Sequence, residues 1–438
     1  MEKLKQIAGN LQALFNETAQ HLAVETGFRQ RRSKLDGATF AKALIGGWLS
    51  NPEASRSELA QIAKVSKQAL DQSFTSQAAS YLQALLGWCV EKMLGQEPAS
   101  LSLLQRFKGV YVLDSSTISL PPTLSAHWQG CGKEGSQSEA GLKLHVGLEL
   151  LSGALLGPEL SPARLHDRQG PHQKLSLPAG ALRITDLGYF KLGRLKELEA
   201  QAVLYLTKAQ TGLQVYGAHQ QPLALSKWLA QQSQKLIDRV VEVGVKERLR
   251  CRLVAWQVPS GVVQTRQQAF KELARKQQRP VSAERQALSY WSVYLTNLSQ
   301  EQASPAEVAV LYRLRWQIEL LFKLWKSGGG LERWHSHKPW AILCEIYAKL
   351  IGQIIQHWLV LAGVWQEAER SLIKASRIVR AHARSLLFRI DNPPHLLQEL
   401  IYICASMQKG CRLDRKKSKP SSFQLLNSPP ILLPQLLN

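Results

Sequence analysis

The chain has 438 residues, 45% of them hydrophobic, which is enough for two to four domains with substantial buried cores. Its 55 Lys and Arg against 33 Asp and Glu give a net charge of +22, which favours nucleic acid over a membrane as partner. An RNA-binding protein or a merely solvated basic surface would share this charge. The six cysteines form no C-x-x-C pair, and no signal peptide or membrane span is evident, so we expect a cytoplasmic protein without a zinc site or disulfides.

Residues 1–105 are predicted to be helical, because apolar residues recur at spacings of three and four. We expect this region to be an N-terminal DNA-binding domain. Within this domain, residues 55–70 predict two short helices around a turn near Lys64. In a helix-turn-helix, the second helix begins with base-reading side chains, which here would be Lys67 and Gln68. The turn lacks the usual glycine, so an ordinary helical hairpin is an equal alternative.

Residues 106–207 predict the first part of an α/β core. Short apolar runs predict buried strands, and the first of these runs ends in Asp114. Strands followed by a strand–helix–strand unit predict a mixed sheet with helices packed against it. The predicted strands are 109–114, 142–150, 181–185 and 202–207, with a helix at 192–200.

Residues 208–300 predict a β-rich insertion, interrupted by a polar Gln- and Arg-rich stretch. A long helix is predicted from Pro305 to Lys326 within a core segment 301–340, because Ser304 and Glu307 form a capping box around a first-turn proline. Three glycines end this helix. The remaining segments are predicted to be a C-terminal helical region at 341–410 and a basic flexible tail at 411–438.

The long helix carries polar residues in a regular pattern. At about 100° per residue, Tyr312, Arg315, Glu319 and Lys326 lie on one face of it. A carboxylate flanked by cations stays ionised, because nearby positive charge lowers its pKa. The alternative is an ordinary amphipathic helix, in which residues four positions apart form routine ion pairs without any functional role.

The spacing Y-(2)-R-(3)-E-(6)-K formed by these four residues resembles the signature of the IS4 family of bacterial insertion-sequence transposases. Asp114, followed by Ser115, Ser116 and Thr117, resembles the first aspartate motif of that family, an aspartate that closes a strand. Asp186, with a glycine two residues later and an aromatic residue after it, resembles the second motif. The resemblance covers roughly residues 105–340. Taken alone, Asp114 could be a strand-end or capping aspartate, and Asp186 could form an Asx-turn beside Gly188.

The resemblance implies an RNase H-like core whose catalytic, metal-binding residues are Asp114, Asp186 and Glu319. Two Mg²⁺ ions, for which Mn²⁺ can substitute, would be bridged by Asp114 and held singly by Asp186 and Glu319. The implied activity is cut-and-paste DNA transposition through a hairpin intermediate, followed by strand transfer of the 3′ ends. A catalytically silent protein that occupies transposon ends and an RNase H-like nuclease with a cellular role are the alternatives.

The resemblance also implies DNA contacts. Trp291 would stack on a flipped base at the transposon end, with an ordinary strand aromatic that packs in the core as an equal alternative. Lys208 stands where relatives carry a basic DNA-contacting residue. The implied DNA partners are the terminal inverted repeats and the target DNA. A homodimer would bind them in the synaptic complex, and the protein would be associated with the bacterial nucleoid. The residues expected around the flipped nucleotide are Tyr312, Arg315, Lys323 and Lys326.

Overall fold

The computed structural model describes residues 1–29, 34–93, 95, 101–132, 139–216, 221–278, 280–367, 369–414 and 426. The predicted tail 411–438 therefore lies mostly outside the described residues. The α-helices within them are α1 Glu2–Phe15, α2 Glu17–Glu25, α3 Gly37–Ala41, α4 Gly47–Ser50, α5 Arg56–Ile62, α6 Lys67–Gln72, α7 Ser76–Glu91, α8 Leu192–Ala200, α9 Leu225–Ala230, α10 Ser260–Gln277, α11 Ala283–Leu288, α12 Pro305–Arg313, α13 Trp316–Lys323, α14 Pro339–Val364, α15 Leu372–Arg389 and α16 Pro393–Gly410. The strands are β1 Val110–Leu120, β2 Ala140–Glu149, β3 Leu155–Pro162, β4 Leu182–Thr185, β5 Leu204–Lys208, β6 Gln214–Tyr216, β7 Pro222–Ala224, β8 Leu236–Val243, β9 Leu249–Gln257 and β10 Trp291–Thr296.

The chain folds into two compact units, each assembled from separate stretches of sequence. The first unit comprises residues 1–100, 115–165 and 318–419, and the second comprises 101–114, 166–317 and 420–438. Because both units are discontinuous, they do not correspond one to one with the six segments predicted from the sequence. That segmentation stays a prediction.

The first unit is built around α14, which is buried along nearly its whole length. No described helix, α14 included, is long and apolar enough to cross a membrane. Two buried polar residues of α14 have partners within the first unit. His357 Nε2 bonds to the Gly153 carbonyl oxygen at 2.8 Å, and buried Lys349 lies 2.7 Å from Glu345 Oε1.

The predicted pair of short N-terminal helices is present as α5 and α6. Ser55 forms a capping box with Glu58 at the start of α5, and Ser66 caps α6. The turn between them places Lys64 at a φ of 54°, so a lysine adopts the left-handed conformation that glycine usually takes in such turns. This backbone is compatible with both a helix-turn-helix and an ordinary hairpin.

The second unit contains a mixed sheet. Among the described residues, the strands of this sheet that have residues in the second unit follow the order β1-β4-β5-β10-β9-β8-β6-β7. The pairs β1–β4 and β4–β5 are parallel, whereas β10 pairs antiparallel with both β5 and β9. Parallel neighbours need a crossover connection, and α8 provides it between β4 and β5.

The insertion after β5 contains more helix than its β-rich prediction implies. Strands β6 to β10 form as expected, but the polar Gln- and Arg-rich stretch folds into α10 and α11. Capping by Ser282 and the high helix propensity of Gln, Arg, Lys and Ala explain why this stretch is helical. The insertion packs on a cluster that includes Tyr205, Trp228 and Leu253.

The prediction of one continuous helix from Pro305 to Lys326 is wrong. The capping box of Ser304 and Glu307 begins α12, but the helix breaks at Leu314 and Arg315 before α13 starts. The Arg315 N–H donates to the Tyr312 carbonyl, three residues back, as in a tightened turn. A π-helix, Leu324–Gly328, then follows α13. The single face predicted for the four signature residues assumed an unbroken helix, which the structure does not have.

Candidate active site

Asp114 and Asp186 occupy equivalent positions on neighbouring parallel strands. The register of β1 and β4 pairs Leu113 with Thr185, and the two aspartates are the next residue on each strand. Both are half-buried. β1 runs on to Leu120, so Asp114 lies within its strand rather than closing it as expected. Asp186 directly follows β4, as predicted. The parallel register therefore carries the two carboxylates side by side in the second unit.

The Asp186 carboxylate is held in a tight turn. Its Oδ1 accepts a hydrogen bond from the Gly188 N–H at 2.8 Å, which is the Asx-turn considered as the plain alternative for this residue. Burial raises the pKa of Asp186, whereas the Gly188 N–H and the charge of Arg315 act to lower it. The net direction is upward. Asp186 is thus a carboxylate whose ionised form is incompletely stabilised by the protein.

A third carboxylate, Asp167, lies beside this turn. A Cβ atom on Gly188 would stand 2.9 Å from Asp167 Oδ2 and 3.1 Å from Asp186 Oδ1, so glycine leaves room for both carboxylates. Asp167 also raises the pKa of Asp186 through like-charge repulsion. The sequence analysis missed Asp167, because it belongs to a short 3₁₀ turn, Asp167–Gln169, with no recognisable motif.

The helix break brings Arg315 to the aspartates. Arg315 Nη1 lies 3.5 Å from Asp114 Oδ2. The guanidinium carbon is 5.9 Å from the ring centre of buried Tyr312, and Lys208 Nζ is 5.4 Å from the same ring. Two cations and two carboxylates thus gather around the end of α12 within the second unit. Three of the predicted DNA-contacting residues, Tyr312, Arg315 and Lys208, are brought together here.

Trp291 and Lys208 line one cavity of the second unit, with a volume of about 610 Å³. Arg266 supports the Trp291 end of it, donating to the Trp291 carbonyl at 2.8 Å and to Ser292 Oγ at 2.8 Å. The sequence analysis missed the contributions of α10 and α11, because their positions follow from the tertiary packing of the insertion. Six of the fourteen lining residues are basic or aromatic: Arg168, Lys208, Arg266, Phe270, Arg285 and Trp291.

The remaining signature residues belong to the first unit. Glu319 is half-buried on α13, and Lys323 is exposed near its end. Lys326 lies in the π-helix, where its Nζ donates to the Thr117 carbonyl at 2.6 Å and lies 2.8 Å from Glu332 Oε1. Lys67 and Gln68 begin α6 and are both exposed. The predicted residues are therefore divided between the units, with Asp114 and Asp186 in one and Glu319 in the other.

Comparison with known proteins shows the family to which the chain belongs. The family described as Transposase DDE domain matches residues 105–353, more than half of the chain. The chain belongs to this transposase family. The match spans β1, β4 and α13, and hence all three predicted acidic residues. The expected RNase H-like core and the expected DDE transposase activity are confirmed at the level of the family.

The similarity to individual DDE transposases extends over the whole chain. The transposase for insertion sequence element IS231F of Bacillus thuringiensis subsp. israelensis is 25% identical over 461 residues, covering 97% of this chain and 95% of the relative. The IS231E transposase of B. thuringiensis subsp. finitimus is 24% identical over 464 residues, covering 96% of each. The IS1151 transposase of Clostridium perfringens is 23% identical over 465 residues, covering 97% of this chain and 96% of the relative. The predicted insertion-sequence resemblance is thereby confirmed.

A DDE domain implies dependence on a divalent metal ion. Among the residues that the structure describes, no three His, Cys, Asp or Glu side chains are grouped closely enough to hold such an ion. The aspartate carboxylates are nevertheless of the right chemical type, because hard divalent cations prefer carboxylate oxygens as ligands. A cation would also stabilise the ionised form of Asp186, which burial disfavours. The two adjacent aspartates are thus suitable ligands.

Proposed function

We propose that Asp114, Asp186 and Glu319 are the catalytic carboxylates of a cut-and-paste DNA transposase and hold two Mg²⁺ ions, for which Mn²⁺ can substitute. The observation that carries this proposal is the placement of Asp114 and Asp186 one residue beyond the paired ends of β1 and β4, with Arg315 beside them. A protein that only bound DNA would not need two half-buried carboxylates directly after the paired residues of two neighbouring strands. Glu319 enters the proposal through its position in the family signature.

The roles of the carboxylates follow from their chemistry. Asp114 would bridge the metal positions, while Asp186 and Glu319 would each hold one of them. When bound, the metal ions activate a water molecule or a 3′-hydroxyl and stabilise the leaving oxygen at phosphorus. The charge of Arg315 lowers the pKa of Asp186 and so opposes the upward effect of burial. Gly188 leaves the space that the Asp186 carboxylate needs.

The cavity beside Trp291 suits a nucleotide extruded from the duplex. A base could stack on Trp291, since every base offers a π-face, and Lys208 could neutralise its phosphate. Extruding this base would make room for a hairpin at the transposon end. Tyr312, Arg315, Lys323 and Lys326 would contact the surrounding phosphates, and the pairing of Lys326 with Glu332 would give way to a phosphate contact.

Recognition of the terminal inverted repeat is assigned to the first helices of the chain. Lys67 and Gln68 stand exposed at the start of α6, where a helix-turn-helix presents base-reading side chains. Cutting both ends of an element together requires two copies of the protein, so we propose a homodimer in the synaptic complex. Its DNA substrates place the protein in the bacterial nucleoid.

An excision assay tests this proposal. A plasmid carries a marker between two copies of the element's terminal repeat, and excision is measured in cells that express wild-type protein or the Asp114→Asn variant. Wild type should release the marker and the variant should not, with equal amounts of soluble protein. If wild type binds the repeat but never cuts it with Mg²⁺ or Mn²⁺, the catalytic proposal fails. The protein would then be the alternative, a silent occupant of transposon ends.

A further inference from the structure

Helix α15 of the first unit is strongly basic. It has no acidic residue, and Arg377, Arg380 and Arg384 lie within about 60° of one another at about 100° per residue. Arg377 and Arg384 are exposed, whereas the opposite face of the helix is buried against the rest of the unit. We call these three residues the arginine stripe. The basic residues of α15 are Lys374, Arg377, Arg380, Arg384 and Arg389.

The middle residue of the stripe adjoins the end of the family signature. Arg380 is half-buried and donates a hydrogen bond to the carbonyl of Gly328, the last residue of the π-helix that carries Lys326. Burial lowers the pKa of Arg380, and the like charge of Arg377 lowers it further. The stripe therefore holds positive charges close together directly beside the signature segment.

The other end of the stripe faces the pair of short N-terminal helices. Arg384 is near enough to Glu58, in the capping box of α5, to lower its pKa, although hydrogen bonds from Ser55 are the larger cause. No ion pair joins Arg377 or Arg384 to another of the described residues. Glu58 is engaged by Ser55, and two other glutamates of the first unit are paired elsewhere, Glu53 with Arg333 at 3.0 Å and Glu332 with Lys326 at 2.8 Å. The exposed charge of the stripe is thus available to an external polyanion.

We propose that the arginine stripe binds the phosphate backbone of duplex DNA without regard to sequence. The proposal rests on the proposed function, since it gives the transposase a second DNA contact beside its base-reading helix. The seven residue steps from Arg377 to Arg384 rise about 10 Å along the helix. That length spans about three phosphates of one strand, at about 3.4 Å of helix axis each.

A protein partner is the competing occupant of this face. Exposed Ile373 and Phe388, at 52% and 88% exposure, flank the stripe and would suit an apolar contact. Three arginines without an acidic residue on the helix favour DNA, because like charges on two copies of this chain would repel each other. The two occupants make opposite predictions for salt dependence and for oligomeric state.

Salt-dependent binding of the full chain to a fluorescein-labelled duplex of arbitrary sequence tests the proposal. Fluorescence anisotropy between about 50 and 200 mM NaCl gives the slope of log K against log salt, which changes by about 0.9 for each phosphate contact. The variant Arg377→Gln/Arg384→Gln should lower the steepness of this slope by roughly 2. Arg377→Lys/Arg384→Lys should restore it, because a lysine supplies the same charge. A matched control, Lys5→Gln/Lys409→Gln, removes two exposed charges from α1 and α16 and should leave the slope unchanged.

Each outcome of this experiment has a distinct meaning. An unchanged slope in the Arg377→Gln/Arg384→Gln variant, with the wild-type circular dichroism spectrum, overturns the stripe proposal and leaves the proposed function intact. If that variant binds DNA like wild type but sediments differently, the stripe proposal is overturned and the stripe is a protein interface. An equal decrease of the salt slope in the control variant also overturns the stripe proposal, since the decrease would then follow from net charge alone. Failure of wild type to bind any duplex contradicts the proposed function itself.

Discussion

Arg315 Nη1 lies 3.5 Å from Asp114 Oδ2, and the charge of the same side chain lowers the pKa of Asp186. One guanidinium therefore acts on the two aspartates that β1 and β4 bring together. The break between α12 and α13 makes this possible, because Arg315 lies in the turn rather than on a continuous helix face. The signature arginine has an electrostatic role within the protein in addition to its proposed contact with DNA.

Replacing Arg315 with Gln should move the acidic limb of the pH–rate profile to higher pH. Loss of the cation raises the pKa of Asp186, so a larger fraction of the carboxylate is protonated at a given pH and unable to bind metal. The measurement is single-turnover DNA cleavage across pH, compared with Arg313→Gln, which removes an exposed arginine of α12. A uniform loss of rate without a shift of the limb would mean that Arg315 serves only to bind DNA.

Replacing Asp186 with Asn should stabilise the metal-free protein while abolishing cleavage. Burial raises the pKa of Asp186, so its contribution to stability is fully present below the unfolded value near 3.8 and is lost as pH rises through the folded value. The neutral amide avoids this loss and can still accept the Gly188 hydrogen bond. We expect a gain of about 0.5–2 kcal/mol at neutral pH that vanishes in acid, measured by denaturant unfolding. Glu91→Gln, at an exposed position of α7, is the control, and a destabilised Asp186→Asn protein at neutral pH would contradict the argument.

Replacing Gly188 with Ala should impair cleavage through the geometry of the carboxylates. The added methyl group would stand 2.9 Å from Asp167 Oδ2 and 3.1 Å from Asp186 Oδ1, so one or both must move. We expect a loss of about 1–3 kcal/mol of stability from overpacking and a larger relative loss of cleavage rate. The Gly193→Ala variant is the matched control, because nothing lies within 4 Å of the added atom. Wild-type cleavage by Gly188→Ala would show that the Asp186 position tolerates displacement.

Replacing Trp291 with Ala should weaken capture of the flipped base. Stacking on an aromatic side chain is worth roughly 1–3 kcal/mol per base, so hairpin formation should slow by about tenfold or more while the first nick persists. Trp291→Phe should retain most of the activity. A 2-aminopurine base near the transposon end reports extrusion by its fluorescence. If Trp291→Ala slows nicking and hairpin formation equally, the cavity does not hold the flipped base.

Local sequence patterns predicted many of the elements well. The helix predicted at 192–200 matches α8 residue for residue, and the capping box of Ser304 and Glu307 begins α12 as expected. Apolar runs located β1, β4 and β5 and placed Asp186 directly after β4. Periodicity, capping and runs of buried residues are local properties, and a single sequence contains them in full.

The features that sequence analysis missed depend on tertiary packing. The break at Leu314 and Arg315 contains neither proline nor glycine, so nothing local signals it. Asp167 reaches Asp186 from a short turn far away in sequence, and α10 and α11 shape the cavity beside Trp291 only through the fold of the insertion. The Gln- and Arg-rich stretch that forms α10 and α11 is polar, and its composition also favours a helix, which the prediction of a β-rich insertion did not include.

The most direct test of the central claim is cleavage of a labelled duplex carrying the element's own terminal repeat in Mg²⁺, with Glu319→Ala compared to wild type. Glu301→Gln, an exposed glutamate between β10 and α12, is the control for loss of a carboxylate. The account predicts nicks and hairpins from wild type and Glu301→Gln, and binding without cleavage from Glu319→Ala. Cleavage by Glu319→Ala at the wild-type rate would contradict the assignment of Asp114, Asp186 and Glu319 as the catalytic carboxylates.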